Sequence, residues 1–172
     1  MDDFKIKLGA INDGENCFSF EIKSQFFEEF TLSDVEHANI TATALLDKEG
    51  DRLTLTLTID GEINKLLCDI CTDEISVAIT GETKVIIKTT DENLVSTDEI
   101  FYVKTNKSAI DLKQFIFELI ILNLPNRRRH PLNEDGSSNC NKEMIVLVNK
   151  YTLTKETSSD SRWDALKKLK IK

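Results

Sequence analysis

Leu53-Thr54-Leu55-Thr56-Leu57-Thr58-Ile59 is the stretch that decides the fold class. Its aliphatic residues fall on odd positions and its threonines on even ones. Successive side chains of a strand point to opposite faces, so this period of two builds a strand with one apolar and one hydroxyl face. Upstream, residues 40–46 are expected to pair with it across Glu49-Gly50-Asp51. Downstream, Asp60-Gly61 reads as a second turn, into a strand over residues 63–67, because glycine takes positive φ cheaply. Residues 75–87 read as one long strand, in which Gly81 predicts a bulge or bend. A short strand at 100–103 follows the acidic loop 91–99. At the other end, residues 4–11 alternate, and Asp13-Gly14 predicts a hairpin to a returning strand over 17–22. Cys17, beside Phe18 and Phe20, is assigned to the core. Residues 24–30 read as one or two helical turns.

The character of the chain changes near Asn106. Residues 108–124 carry a helical pattern, with Asp111, Gln114 and Glu118 on one stripe and Ile110, Leu112, Phe115, Ile116, Leu119 and Ile120 around the rest. Ser108 with Asp111 three residues on is a capping signal, and Pro125 is a stop. So wide an apolar arc is expected to lie against the sheet. Residues 126–140 read as a loop, and 141–151 as a short helix or an extended piece. Residues 152–159 read as a linker. Residues 161–170 read as a short amphipathic helix, with Trp163, Leu166 and Leu169 opposite Lys167, Lys168 and Lys170. The expected architecture is α+β: a largely antiparallel sheet or partly open barrel, packed by the 108–124 helix. One domain is expected over 1–151, β-rich through 104, with 152–172 appended as linker and helix.

With 172 residues the chain is long enough to bury a core without disulfides. The start, Met1-Asp2-Asp3-Phe4-Lys5, is acidic and lacks the apolar segment of a secretory signal. A cytoplasmic location is therefore expected, where cysteines stay reduced and a close pair is more often metal-binding or redox-active than a structural disulfide. Charge is unevenly spread. Residues 1–100 carry a net −14 and residues 101–172 a net +6. Such a division fits a polyanion-facing half on an acidic body, or simply two solvated faces.

Cys68 and Cys71, in Leu67-Cys68-Asp69-Ile70-Cys71, form a C-x2-C turn at the expected end of a strand. Zinc takes four sulfur or nitrogen donors in a tetrahedron, and such a turn supplies two. His130 and Cys140 complete the candidate ligand set if the loop that carries them folds back. Three cysteines and one histidine leave no open coordination position, which is the signature of a structural site. Two other readings stay open. The cysteines serve as small buried hydrophobes, or as a thiol switch, although no βαβ unit surrounds the pair. Asp69, inside the turn, reads as solvated.

Arg127-Arg128-Arg129 leads directly into His130. The planar guanidinium fork suits phosphate and stacks on bases, so a metal-anchored loop could present these side chains to RNA. Alternatively the arginines pair with acidic loops such as Asp91-Glu92 or Glu134-Asp135. No Walker, dinucleotide-binding or nucleophile-elbow pattern occurs, and His37 has no obvious nucleophile beside it. The chain reads as a binding module and not as an enzyme.

These features stand in a telling order. A β region runs into Cys68-Asp69-Ile70-Cys71, and a helix closes on Leu124-Pro125 before Arg127-Arg128-Arg129-His130-Pro131. The tail is Asp160-Ser161-Arg162-Trp163-Asp164-Ala165-Leu166-Lys167-Lys168-Leu169. The order resembles the YceD-like family, named for large ribosomal RNA subunit accumulation, in its Bacteroidetes-type form. The tail is similar to the family's closing D-P-R-[WL]-x-x-L-x-x-L, with Ser161 in place of proline. Many members carry a second cysteine pair near the carboxyl end, where this chain has His130 and Cys140. The resemblance implies a cytoplasmic, non-enzymatic accessory factor that supports accumulation of 23S rRNA. Partners expected on this basis are large-subunit rRNA or the ribosomal protein bL32, whose gene often neighbours the family's. Candidate contact residues are Arg127, Arg128 and Arg129, with Arg162, Trp163, Lys167 and Lys168 of the tail. The competing reading is a zinc-stabilised adaptor that holds a basic ribosomal protein such as bL32.

Overall fold

A computed structural model of the chain describes residues 4–30, 35–50, 52–97 and 99–152. The architecture is α+β, built on an open sheet of five strands in the order β2-β3-β4-β5-β6. These are β2 (Gly14–Ile22), β3 (His37–Glu49), β4 (Arg52–Leu67), β5 (Glu74–Thr90) and β6 (Ile100–Lys104). All neighbours are antiparallel except β5 and β6, which run parallel. A second, two-stranded sheet joins β1 (Lys5–Lys7) to β7 (Ala109–Asp111). The helices are α1 (Ser24–Phe27), α2 (Lys113–Leu122) and α3 (Lys142–Tyr151).

The alternation of residues 53–59 is realised directly. Leu53, Leu55, Leu57 and Ile59 are buried. Leu46, Ala44 and Ala42 of β3 sit opposite Leu55, Leu57 and Ile59, so one face of the sheet becomes the core wall. The β3–β4 hairpin closes where Glu49 faces Arg52, with Gly50 at φ +59 in the turn. Onto this wall α2 lays Ile116, Leu119 and Ile120. A set of phenylalanines ties α1 to α2, with Phe30 and Phe117 stacked at 3.8 Å between centroids.

Several expectations are corrected. Asp60-Gly61 is not a turn: β4 runs through it, and Asp60 pairs with Thr41 on one side and Thr80 on the other. Partner strands on both flanks override the local turn preference of the dipeptide. Gly61 is needed there for another reason. Its φ is +154, and a side chain would strike the backbone of Asn39 and Ile40. Asp13-Gly14 does not close a hairpin either. Ile6 pairs with Ile110, residues 8–10 form a 3-10 turn, and β2 pairs with β3. The 108–124 helix is shorter than its pattern, because 109–111 are taken into β7 and the helix starts at Lys113. Ser108 does not cap it: Leu112 is the N-cap residue, and Asp111 just before it accepts the Lys113 N–H through Oδ1 at 2.9 Å.

Cys17 is exposed, not core. It alternates with Phe18 and Phe20 and so lies on the opposite face of β2, beside Glu15 and Ser19. Gly81 marks no bulge. It lies opposite Ile59 in the unbroken β5 and makes room for the Asn123 side chain at the end of α2. The bulge is in β4 instead, where Asn64 and Lys65 stand against Ser76 between the pairs Ile63–Val77 and Leu66–Ile75. Residues 141–151 resolve as helix, with Asn141 capping through its side chain to the Glu143 N–H. The expected linker and helix over 152–172 lie outside the described residues beyond Thr152.

Candidate metal centre and arginine loop

The β4 bulge aims the first ligand. Inward residues of β4 are odd-numbered through Ile63, then even-numbered at Leu66 and Cys68. One extra residue reverses the phase of the strand, and Cys68 is thereby turned into the protein with 1% of its surface exposed. Lys65, at φ 58, absorbs the irregularity. The β4–β5 connection then closes on itself. Thr72 N–H donates to the Cys68 carbonyl, and Cys68 N–H donates to the Asp73 carbonyl, both at 2.9 Å. Thr72 takes a φ of 61, which turns Cys71 back toward Cys68.

The loop after Pro125 returns to this turn. Asp69 and Arg128 hold each other by two backbone-anchored bonds. Asp69 N–H donates to the Arg128 carbonyl at 2.7 Å, and Arg128 N–H donates to Asp69 Oδ2 at 2.7 Å. Asp69 is therefore a clamp and not merely a solvated acid. Sequence reading missed it because an acid in a turn looks the same whether or not a remote amide arrives. Farther along, Leu132 and Ser138 bridge the loop across its base. Cys140 follows, buried, immediately before the Asn141 cap of α3.

The donor atoms of Cys68, Cys71, His130 and Cys140 all lie within 4.8 Å of one another. Cys68 Sγ is 3.7 Å from Cys140 Sγ, and His130 Nδ1 is 3.5 Å from Cys71 Sγ and 3.6 Å from Cys140 Sγ. A zinc tetrahedron with ordinary bond lengths has S···S edges of about 3.8 Å and S···N edges of about 3.6 Å. The geometry and donor set therefore fit a closed structural site. Three thiolates around a divalent ion leave one net negative charge, beside a run of three arginines. No cysteine is in a disulfide.

The environment of Cys68 is polarised for that role. Burial works to raise the Cys68 pKa. Backbone amides of Cys71, Ile70 and His130, with the His130 ring, outweigh it and bring the thiol down from 9.0 to about 6. Cys71 is held above its usual value, chiefly by burial and also by the neighbouring Cys68 and Cys140, against amides of Asn141 and Asp73. Amides gathered on a sulfur stabilise the thiolate, which is the form that binds metal. At 1% and 2% exposure, Cys68 and Cys71 are shielded from solution oxidants in a way a thiol switch is not.

Arg127 and Arg129 are exposed, and Arg128 is half-buried over the clamp. Among the described residues no carboxylate pairs with Arg127 or Arg129, so the expected alternative of pairing to Glu134, Asp135, Asp91 or Glu92 does not describe them. Asp135 is engaged within its own turn by Ser137. Arg162, Trp163, Lys167 and Lys168 lie outside the described residues. His37 does have a hydroxyl nearby, since Ser24 Oγ is 3.4 Å from its Nδ1, a long contact for a hydrogen bond. No described helix is long and apolar enough to cross a membrane.

Removing the carboxylate half of the clamp should loosen the loop without removing a ligand. Asp69→Ala is expected to cost about 1–3 kcal/mol locally, the usual range for a charge-assisted bond. Hydrogen exchange at the Arg128 amide would read it as accelerated by roughly tenfold or more.

A family described as large ribosomal RNA subunit accumulation protein YceD matches residues 55–170. No curated protein and no solved structure matches the chain. The matched span begins inside β4 and takes in the cysteine turn, the arginine loop and α3.

Proposed function

The chain belongs to the YceD family of large ribosomal RNA subunit accumulation proteins, and from that premise we propose that it is a non-enzymatic, cytoplasmic factor that contacts large-subunit rRNA through its arginine loop. The family gives the process, accumulation of large-subunit rRNA. The direct contact is our reading, as is the division into a domain over 1–151 with an appended tail. One observation carries it: Arg127 and Arg129 are exposed and lack carboxylate partners among the described residues, on a loop held at three points, Asp69, His130 and Cys140. A held loop fixes the spacing of its guanidinium groups before RNA arrives, which lowers the ordering cost of binding. Arg162, Trp163, Lys167 and Lys168 of the tail are proposed to extend the contact. In this reading the metal is structural and touches no RNA.

A second reading rests on the outer face of the sheet. Glu15, Glu21, Asp60, Glu62 and Glu82 project there, away from the core. That face suits a basic ribosomal protein such as bL32, which would make the chain an adaptor.

The two separate on replacement of Arg127, Arg128 and Arg129 by Ala. If the loop contacts phosphate, affinity for 23S rRNA fragments falls, and the slope of log K against log salt shrinks by about 2, near 0.7 per lost contact on single strands. Crosslinking in cells then recovers fewer rRNA adducts. Unchanged adducts, with bL32 recovered instead, would move the function to the acidic face.

A further inference from the structure

The apolar side of α3 is only partly covered among the described residues. Met144, Leu147, Val148 and Tyr151 recur at i, i+3, i+4 and i+7 and form one stripe. Met144, at the foot of the helix, packs on the core. Beyond it the stripe emerges: Leu147 is 45%, Val148 42% and Tyr151 72% exposed. Ordinary surface helices do not carry such a stripe uncovered.

We propose that the tail of the same chain covers it, residues 161–170 seating Trp163, Leu166 and Leu169 on the stripe in antiparallel sense. The chain continues directly from the end of α3, and 161–170 offers apolar residues at matching helical spacing over the same ten-residue length. Residues 152–159 suit a helix–helix connection, which runs to about 8 residues. Fully extended, they would reach ~26 Å, against a helix of about 15 Å.

Charge selects the antiparallel sense. In that sense Lys150 at the far end of α3 lies near Asp160 and Asp164, whereas the parallel sense would set it near Lys167, Lys168 and Lys170. Area argues for a tethered occupant over a second copy. A stripe of four side chains presents on the order of a few hundred Å², short of the roughly 800 Å² per partner of a stable free complex. A tether supplies a local concentration in about the millimolar range and needs no such area. The arrangement also returns Lys167 and Lys168 toward Cys140 and the arginine loop. The basic clusters then form one surface, a use that rests on the rRNA reading, whereas the docking itself does not.

Trp163 is the only tryptophan, so it reports the docking without a label. In the full chain, free of RNA, its emission should be blue-shifted and its quenching by acrylamide severalfold weaker than that of free tryptophan. Both should be independent of protein concentration over a hundredfold dilution. Leu147→Asp with Val148→Asp should shift the emission to the red and restore full quenching. Val146→Asp, on the opposite side of α3, should change neither. Far-UV circular dichroism verifies that each variant keeps its fold. Full quenching in the unaltered chain overturns the proposal and leaves the stripe to another protein. Exposure on dilution overturns it in favour of a second copy. Indifference to the double variant overturns it outright.

Discussion

Cys140→Ser is expected to strip the protein of zinc and to release residues 126–140, while leaving the sheet folded. Magnitudes decide this. Ordering fifteen backbone residues costs on the order of 15–30 kcal/mol. Against this the loop sets few contacts of its own: the Leu132–Ser138 bridge, the Asp69–Arg128 clamp and turn bonds around Asp135. A structural zinc supplies roughly 10–16 kcal/mol at neutral pH, the largest single favourable contribution available there. The sheet stands otherwise. Its core residues, Leu55, Leu57, Ile40 and Ile120 among them, are buried between the sheet and its helices. Loss of one of four ligands should weaken zinc binding by at least about 100-fold, the upper range for disturbing only the groups behind the ligands. Elemental analysis should find one zinc per chain before the change and almost none after it. Hydrogen exchange should show the amides of Asp69 and Arg128 unprotected, with β3 and β4 amides unaltered. A strong chelator should reproduce the pattern in the unaltered chain. Full zinc content in Cys140→Ser, or loss of the whole sheet, would remove the metal from the role assigned to it.

What the sequence made legible, and what it did not, follows from where each signal resides. The strand over 53–59 is written in its own alternation, and its pairing with residues 40–46 follows from the turn between them. Cys68, Cys71, His130 and Cys140 were legible as residue types, because few other side chains bind zinc and the chain holds only four cysteines. Their convergence depended on features with no local signature. The β4 bulge that turns Cys68 inward exists only relative to β5, where Ser76 faces two residues. The Asp69 clamp exists only relative to an amide 59 residues away. Cys17 has hydrophobic neighbours, but its parity in β2 sets it on the exposed face. Asp60-Gly61 and Asp13-Gly14 show the same limit. A dipeptide signals what it tolerates, and its flanking strands decide whether the chain turns there.

That limit yields a sharp contrast between two glycines of the same sheet. Gly61→Ala is expected to destabilise the protein by about 3–5 kcal/mol, combining the strain of a side chain at an unfavourable φ with overpacking. The new methyl group would meet the Asn39 carbonyl and lie 2.7 Å from Ile40 Cα, both backbone atoms of a central strand that cannot step aside. For a chain of this size the melting temperature should fall by roughly 10 °C. Gly81→Ala meets only the end of the Asn123 side chain. That side chain can swing away, giving up its bond to the Leu119 carbonyl at 2.8 Å. The loss, about 1 kcal/mol, is partly offset by the lower entropy of the unfolded chain. Thermal melts of the two variants side by side therefore test the register of β3 on β4. Equal, small shifts would mean that the backbones of residues 39–40 and 61 are not in close approach, and that Asp60-Gly61 forms the turn its sequence favours. The path from β4 into the cysteine turn would then have to be redrawn, because the phase that brings Cys68 inward is counted from that unbroken strand.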